Sequence, residues 1–338
     1  MNKVYQEAPS NIAIVKYWGK KGIQEPMNAS LSFTMSKSIS KIEIQHAHSE
    51  EELKIDFLFD GQKKDSFLPK IQDFIKRNEK HLSNITSGIL KINSSNTFPH
   101  SSGIASSASS MAALAKGLYS INQSIGNEQE YNPQVVSEMA RLGSGSASRS
   151  TQTGWVLWGK TDELQGSSDH YGIEINNQIH ENFHSLQDSI LVIRKGAKSV
   201  SSTVGHQLMD NHPFKEGRLK QANKNIKKLI SALKQGDFKI FTEVCEEEAM
   251  SLHALMMSSS PGYTLMAPET LRAIKRINKF RDSNHVPLTY TLDAGPNIHL
   301  IYPKEQSKIV HPFIKEHLAP LCEDESVIYD EISMPLQQ

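Results

Sequence analysis

The chain of 338 residues has little cysteine, no excess of either charge and no long apolar run. Its two cysteines, Cys245 and Cys322, form no metal-type or redox-type pair, and such sparing use is what a reducing compartment permits. Lys and Arg number 37 against 37 Asp and Glu, a formal net charge of +0. That balance excludes a global field for nucleic acid or anionic membrane, so any anion site must be local. No segment reaches the roughly 20 apolar residues of a membrane span, and "MNKVYQEAPSNIAIVKYW" lacks the unbroken apolar core of a signal peptide. A soluble cytoplasmic protein without nucleic-acid or membrane partners is the expectation. The length suits two domains, each able to bury a core of its own.

What is present is an alternation of strand and helix patterns. "LSFTM" sets Leu31, Phe33 and Met35 against Ser32 and Thr34, and "KIEIQ" repeats the alternation with Ile42 and Ile44, predicting two half-buried strands. "LPKIQDFIKR" carries Leu68, Ile71 and Ile75 at helical spacing, and "SGILKIN" returns to strand character. Then comes "FPHSSGIASSASSMAALAKGL", residues 98–118, whose serines suggest a linker. The stripe Ile104, Ala108, Met111, Ala115, Leu118 instead predicts one face of a helix, with Ser106, Ser107 and Ser110 off it. A strand, a Gly/Ser loop and a helix start offer unpaired N–H groups and a positive dipole end to a phosphate. The Walker Gly-Lys-Ser/Thr is absent, and a plain serine-rich N-cap stays open as the alternative.

Three further stretches carry polar groups suited to chemistry. "GSGSASRS" allows close backbone approach and adds the planar fork of Arg149, though it also reads as a loop between the helix "VVSEMARLG" and the strand "GWVLWG". "NIAIVKYWGK" sets Lys16, Tyr17, Trp18 and Lys20 behind an apolar strand, where lysines are usually solvated. In "LTYTLDAGPNIHLIY", Asp293 ends one strand just before a Gly-Pro turn into another, as a turn residue or a rigidly held catalytic carboxylate.

Together, "APSNIAIVKYWGK", "NASLSFT", "FPHSSGIASSAS", "GSGSASRS", "KSVSSTVGH" and "DAGPN", in this order, resemble the diphosphomevalonate decarboxylases of the GHMP small-molecule kinase superfamily over nearly the whole chain. The resemblance implies an α+β fold: an N-terminal ATP-binding α/β domain with a left-handed βαβ feature, a ferredoxin-like C-terminal domain, and an active site between them. A boundary near residue 186 gives domains 1–186 and 187–338. There "SLQDSILVIRKGAKSVSST" begins a strand at Ile190–Ile193, followed by a helix with Leu219, Ala222, Ile226, Leu229 and Leu233 on one face and a solvated Lys/Arg face.

The resemblance also implies the chemistry: MgATP-dependent phosphorylation of the 3-hydroxyl of 5-diphosphomevalonate, then loss of phosphate and carbon dioxide to give isopentenyl diphosphate. ATP and Mg²⁺ are the cofactors it implies, 5-diphosphomevalonate the small-molecule partner, and a homodimer the assembly. Asp293 matches the catalytic aspartate, Lys16 its neighbouring lysine, and Arg149 the arginine facing the substrate carboxylate. Tyr17, Trp18, Gly19 and Lys20 match a substrate stretch, as do Ser144, Gly145, Ser146, Ala147 and Ser148, and so does Thr203. The ATP loop is matched by Asn96, Ser101, Ser102, Gly103, Ala105, Ser106 and Ser107.

Departures are few. "PHSSG" stands where the family often has Pro-Thr-Ala-Ala-Gly, and Ser148 replaces a frequent cysteine. A family arginine that reaches the diphosphate falls at Gln62 in "DGQKKD", leaving Lys63 or Lys64 as substitutes and a monophosphorylated substrate as an alternative. His46 and His48 lack a third ligand at metal spacing and read as surface histidines, while "LHALMMSSSPGY", with His253, Met256 and Met257, reads as a core-facing helix end. Two other functional classes compete: a kinase that stops at phosphoryl transfer to mevalonate or phosphomevalonate, and a non-catalytic sensor. The joint presence of Lys16, Arg149 and Asp293 favours the lyase.

Overall fold

The computed structural model describes residues 2–99, 104, 106–126, 130–196 and 200–335. Strand β1 (Asn2–Ala13) pairs antiparallel with the 23-residue strand β2 (Ser30–Glu52), with Val4 opposite Ile44 and Ile12 opposite Phe33. "LSFTM" and "KIEIQ", expected as two strands, are therefore one. The second half alternates as expected, burying Ile42 and Ile44. The first half is buried on both faces: Leu31, Phe33 and Met35 join an apolar core, and on the polar face Ser30 Oγ accepts from Arg149 and Thr34 Oγ1 accepts from the Gly154 N–H at 2.8 Å, while along the edge Met35 bridges Ile332.

Around β2 the sheet adds β3 (Lys54–Phe59), β4 (Gln62–Lys63), β5 (Ser87–Asn96), β6 (Trp155–Trp158) and β7 (Gly172–Glu174) in the order β4-β3-β5-β2-β6-β7. Strands β3 and β5 run parallel and are joined through α1 (Leu68–Arg77), as a parallel crossover requires. The serine-rich stretch becomes α2 (Ser106–Gly126), and α3 (Pro133–Gly143) follows, started by the Asn132 side chain accepting from two backbone N–H groups and by Pro133 in the first turn. Ala108, Met111, Ala115 and Leu118 of α2 pack into the sheet's core. Ile104 departs from the expected stripe: it precedes the helix and joins a different cluster with Phe98.

The second half begins with β8 (Leu186–Leu191), earlier than the expected Ile190, and continues through α4 (Ser202–Gln207), α5 (Lys215–Gln235), α6 (Phe238–Met257) and α7 (Pro268–Asn284). It ends with β9 (Thr289–Thr291), β10 (Ile298–Pro303), α8 (Ser307–Phe313) and β11 (Val327–Glu331). The sheet order is β9-β10-β8-β11 with every pair antiparallel, which is the ferredoxin-like arrangement. On α5, Ala222, Ile226, Leu229 and Leu233 are buried as expected, but Leu219 is only half-buried and Arg218, read as part of a solvated face, is buried. The helix stops at Gly236, whose φ of 75° suits glycine, and Asp237 caps α6 by accepting from the Ile240 N–H.

One hydrophobic cluster crosses between the halves, packing Ile12, Phe33 and Trp155 against Ile190, Leu229 and Phe241. Close packing of this kind holds the walls of the cleft above it in register. No helix among the described residues is long and apolar enough to cross a membrane.

Candidate active site

The cleft between the halves holds a cavity of about 700 Å³, a size that suits small-molecule ligands. Its wall draws on the segment after β1, on α1, on the first turn of α2, on the turn after α3, on α4 and on the β9–β10 turn.

Asp293 sits in the β9–β10 turn, where its carbonyl accepts from the Gly295 N–H at 2.7 Å and from His253 Nε2 at 3.1 Å. Its carboxylate faces Lys16, whose Nζ donates to Asp293 Oδ1 at 3.1 Å and to the Ala13 carbonyl at 2.6 Å. Lys16 is only 1% exposed, which removes the solvated strand-end reading. A buried ammonium needs such a partner, and it in turn favours the ionised carboxylate.

Arg149 is buried on the five-residue 3-10 turn Gly145–Arg149. One amino group donates to Ser30 Oγ, and the guanidinium carbon lies 5.8 Å from the Trp158 ring centre. Burial brings its pKa down to about 10, with Asp293 and Tyr17 acting in the opposite sense, so it stays cationic at neutral pH. Arg149 Nε and the Tyr17 hydroxyl are buried polar atoms without a partner among the described residues, and burial raises the Tyr17 pKa. Gly145 is needed here, since a Cβ would come within 2.7 Å of the Tyr17 hydroxyl and 2.8 Å of the Trp158 ring.

A second wall is cationic. Lys20, Lys70 and Arg77 all border the cavity. The Lys20 pKa is lowered by burial and by the neighbouring Arg77 and Lys70 charges, and the Lys70 pKa by burial. Lys70 Nζ lies 3.4 Å from Ser107 Oγ, which lies 3.5 Å from Ser144 Oγ, so the α2 start and the "GSGS" turn meet here. The Arg77 and Lys70 charges thus add to the effect of burial at Lys20, and a polyanion would relieve that repulsion. Beside them, His206 Nδ1 accepts from the Gly19 N–H at 3.0 Å, and its ring packs 4.3 Å from Tyr17 and 4.8 Å from Trp18. Burial, with Lys20 adding to it, lowers the His206 pKa to about 3, so the ring is neutral and carries its proton on Nε2.

The cavity thus brings together Lys16, Tyr17, Trp18, Lys20, Ser106, Ser107, Ser144, Gly145, Ser146, Arg149, Thr203 and Asp293 from the sequence expectation. Gly19 lies behind the wall, bonded to His206. Ala147 and Ser148 are not on the wall: Ala147 belongs to the first-half core, and Ser148 Oγ donates to the Gly145 carbonyl, bracing the turn from beneath. Asn96 also stands off the cavity, its Oδ1 accepting from Ser40 Oγ at 2.7 Å. Ser101, Ser102, Gly103 and Ala105, like His100, lie outside the described residues.

Other expectations are corrected. Gln62 and Lys63 form an exposed hairpin strand, Lys63 pairs with Asp65, and Lys64 is exposed; the nearby lysine that does reach the cavity is Lys70, which sequence reasoning passed over. Lys70 and Arg77 lie seven residues apart, two turns along one face of α1, a signal that was available. His46 is buried, with Nε2 at 2.8 Å from the Ser87 carbonyl, rather than on the surface. In the α6 end, Met256 is core as expected, whereas Met257 is 55% exposed and His253 serves the Asp293 turn.

A ferredoxin-like half set against an α/β half across a cleft lined by Lys16, Arg149 and Asp293 defines a two-domain fold of the GHMP kinase type. The family model "Diphosphomevalonate decarboxylase-like N-terminal domain" matches residues 8–170, and "Mevalonate 5-diphosphate decarboxylase C-terminal domain" matches residues 189–337. Diphosphomevalonate decarboxylase of Saccharomyces cerevisiae is 31% identical over 91% of this chain and 79% of its own length. The mevalonate diphosphate decarboxylase of Staphylococcus aureus superposes with a TM-score of 0.84 at 27% identity, covering 98% of this chain and 95% of that one. MDDEF in complex with MVAPP, AMPPCP and magnesium gives a TM-score of 0.81 at 28% identity, covering 98% and 97%. This chain belongs to the diphosphomevalonate decarboxylase family.

Proposed function

We propose that this protein converts (R)-5-diphosphomevalonate and MgATP to isopentenyl diphosphate, ADP, phosphate and carbon dioxide. The observation that carries the reading is the 3.1 Å contact of Lys16 with Asp293 on a cavity that also presents Arg149. The complex of MDDEF with MVAPP, an ATP analogue and magnesium supports the ligand set.

Asp293 accepts a hydrogen bond from the substrate 3-hydroxyl. A carboxylate is a weak base for a tertiary alcohol, so the proton moves to it late, as the oxygen bonds to phosphorus, and orientation carries most of the effect. Lys16 keeps the carboxylate ionised and offsets charge gathering at the transferred group. Once the 3-oxygen is phosphorylated it is a good leaving group. The C3–O bond then breaks, and the electron pair of the C1–C2 bond forms the C2=C3 double bond as carbon dioxide departs. Arg149 aligns the C1 carboxylate with its fork, and an overly strong pair would stabilise the ground state and oppose that departure.

Lys20 and Lys70, with Ser144 and Ser146, receive the diphosphate of the substrate; Ser106 and Ser107 receive ATP phosphates. The carboxylates on the described wall are Asp73 and Asp293, so Mg²⁺ would be held mainly through phosphate oxygens and serine hydroxyls such as that of Ser106. When bound, it supplies charge neutralisation at the phosphates. A reducing, cytoplasmic setting suits the two buried cysteines, Cys245 and Cys322, which form no disulfide.

Comparing turnover of 5-diphosphomevalonate with 5-phosphomevalonate tests the substrate assignment. Lys20 and Lys70 on the cavity wall predict a strong preference for the diphosphate; equal kcat/KM for the two would overturn it.

A further inference from the structure

Lys16 is gripped by its backbone as well as by its ammonium. Its N–H donates to Glu248 Oε2 at 2.9 Å, and its carbonyl accepts from Arg218 Nη2 at 3.0 Å and from Asn28 Nδ2 at 3.0 Å. Glu248 and Arg218 form a two-pronged pair, Nη1 to Oε1 at 2.8 Å and Nη2 to Oε2 at 2.7 Å, and Asn225 Nδ2 adds a bond to Oε1 at 2.8 Å. The two side chains are 1% and 0% exposed. Arg218 and Asn225 belong to α5 and Glu248 to α6, so the second half of the chain holds a peptide of the first.

Helix α6 also reaches the other member of the pair. His253, five residues beyond Glu248, donates through Nε2 to the Asp293 carbonyl at 3.1 Å. At a rise of about 1.5 Å per residue, the two grips are about 7.5 Å apart along one helix axis. A single rigid element therefore holds both ends of the Lys16–Asp293 contact.

Stability alone does not account for such a pair. Desolvating two charges offsets most of their attraction, and apolar replacements of buried pairs are often neutral or better. What an apolar pair cannot do is offer an acceptor and a donor to the two sides of one residue's backbone.

We propose that Glu248 and Arg218 are positioning residues that bracket the Lys16 peptide and, with His253 on the same helix, set the separation of Lys16 Nζ from the Asp293 carboxylate. The kinetic consequence rests on the decarboxylase reading, whereas the geometric consequence does not. The test is the double variant Arg218→Met with Glu248→Met, which removes both charges together, and Arg218→Lys, which keeps the charge but loses the fork. Crystal structures give the Lys16 Nζ to Asp293 distance, and carbon dioxide release per MgATP-binding site gives kcat and KM. The distance should lengthen by about 1 Å and kcat fall about 100-fold, the cost of a misplacement of that size, with both KM values within about twofold of wild type. An unchanged distance, or a longer one with kcat per site unaltered, overturns the proposal. If the double variant does not fold, Arg218→Lys is decided by the same two readings. Wild-type protein that releases no carbon dioxide would sink the decarboxylase reading, and the distance would still decide the positioning.

Discussion

The Lys16 ammonium lies 3.1 Å from the Asp293 carboxylate, the lysine side chain 2% exposed and the aspartate 31%. The pair is therefore asymmetric: the cation is sealed in protein, and the anion opens to the cavity. An arrangement of that kind presents to a ligand a carboxylate backed by a buried cation. Replacing Asp293 by Asn keeps the shape and removes the acceptor charge. Turnover should fall by on the order of 10²- to 10⁴-fold, the usual worth of a positioned proton acceptor, while MgATP binding stays as in wild type. Near-normal turnover would take Asp293 out of the mechanism.

Arg149 is more than a charge. Its Nε has no partner among the described residues, its amino group is tied to Ser30, and the group lies against Trp158. Lysine keeps the charge and loses the planar fork. We expect Arg149→Lys to lower kcat/KM for 5-diphosphomevalonate by about tenfold to 100-fold, the worth of one charged hydrogen bond. Steady-state kinetics checks this, and a change of less than about twofold would show that the fork is not used.

The lysines of the "DGQKKDSFLPK" stretch differ in place. Lys70 borders the cavity, whereas Lys63 and Lys64 are exposed beyond it. Lys70→Ala should raise KM for the diphosphorylated substrate and weaken its dependence on ionic strength. Lys63→Ala and Lys64→Ala should leave KM unchanged, and the reverse ranking would return the anion contact to the hairpin.

His206 gives the protein a stability that depends on pH. Its native pKa of about 3 lies below the ordinary histidine value, because burial, with Lys20 adding to it, disfavours the charged ring. Above the unfolded value of about 6.5 the contribution is fully present. As pH falls from there toward 3, the unfolded state binds a proton that the native state refuses, and stability drops by about 1.4 kcal/mol per pH unit. Urea unfolding of wild type and His206→Met between pH 4 and 7 reads the difference, which should shrink as pH falls. Parallel curves would show that the ring is not held neutral.

Much of this was legible from local pattern. Alternation located β2 and β5, helical spacing located α1, α2 and α5, and the polar stretches holding Lys16, Arg149 and Asp293 meet at one cavity. What stayed hidden depends on partners distant in the chain. "LSFTM" reads as half-buried because the cover of its polar face, the Arg149–Gly154 segment that bonds Ser30 and Thr34, lies about 120 positions away. Arg218 sits in a run of lysines and shares their composition, yet Glu248 on the next helix draws it inside. Ser148 has ligand-binding chemistry, but its hydroxyl already donates to the Gly145 carbonyl, and Asn96 Oδ1 already accepts from Ser40. His253 looked like packing because its acceptor is a backbone carbonyl, which no side-chain pattern announces.

The most direct measurement follows ADP, inorganic phosphate and carbon dioxide together when the protein is given MgATP and 5-diphosphomevalonate. The account predicts that the three appear in equal amounts. ADP without carbon dioxide would contradict it and make the protein a kinase, and no ADP with any mevalonate derivative would make it a binding protein.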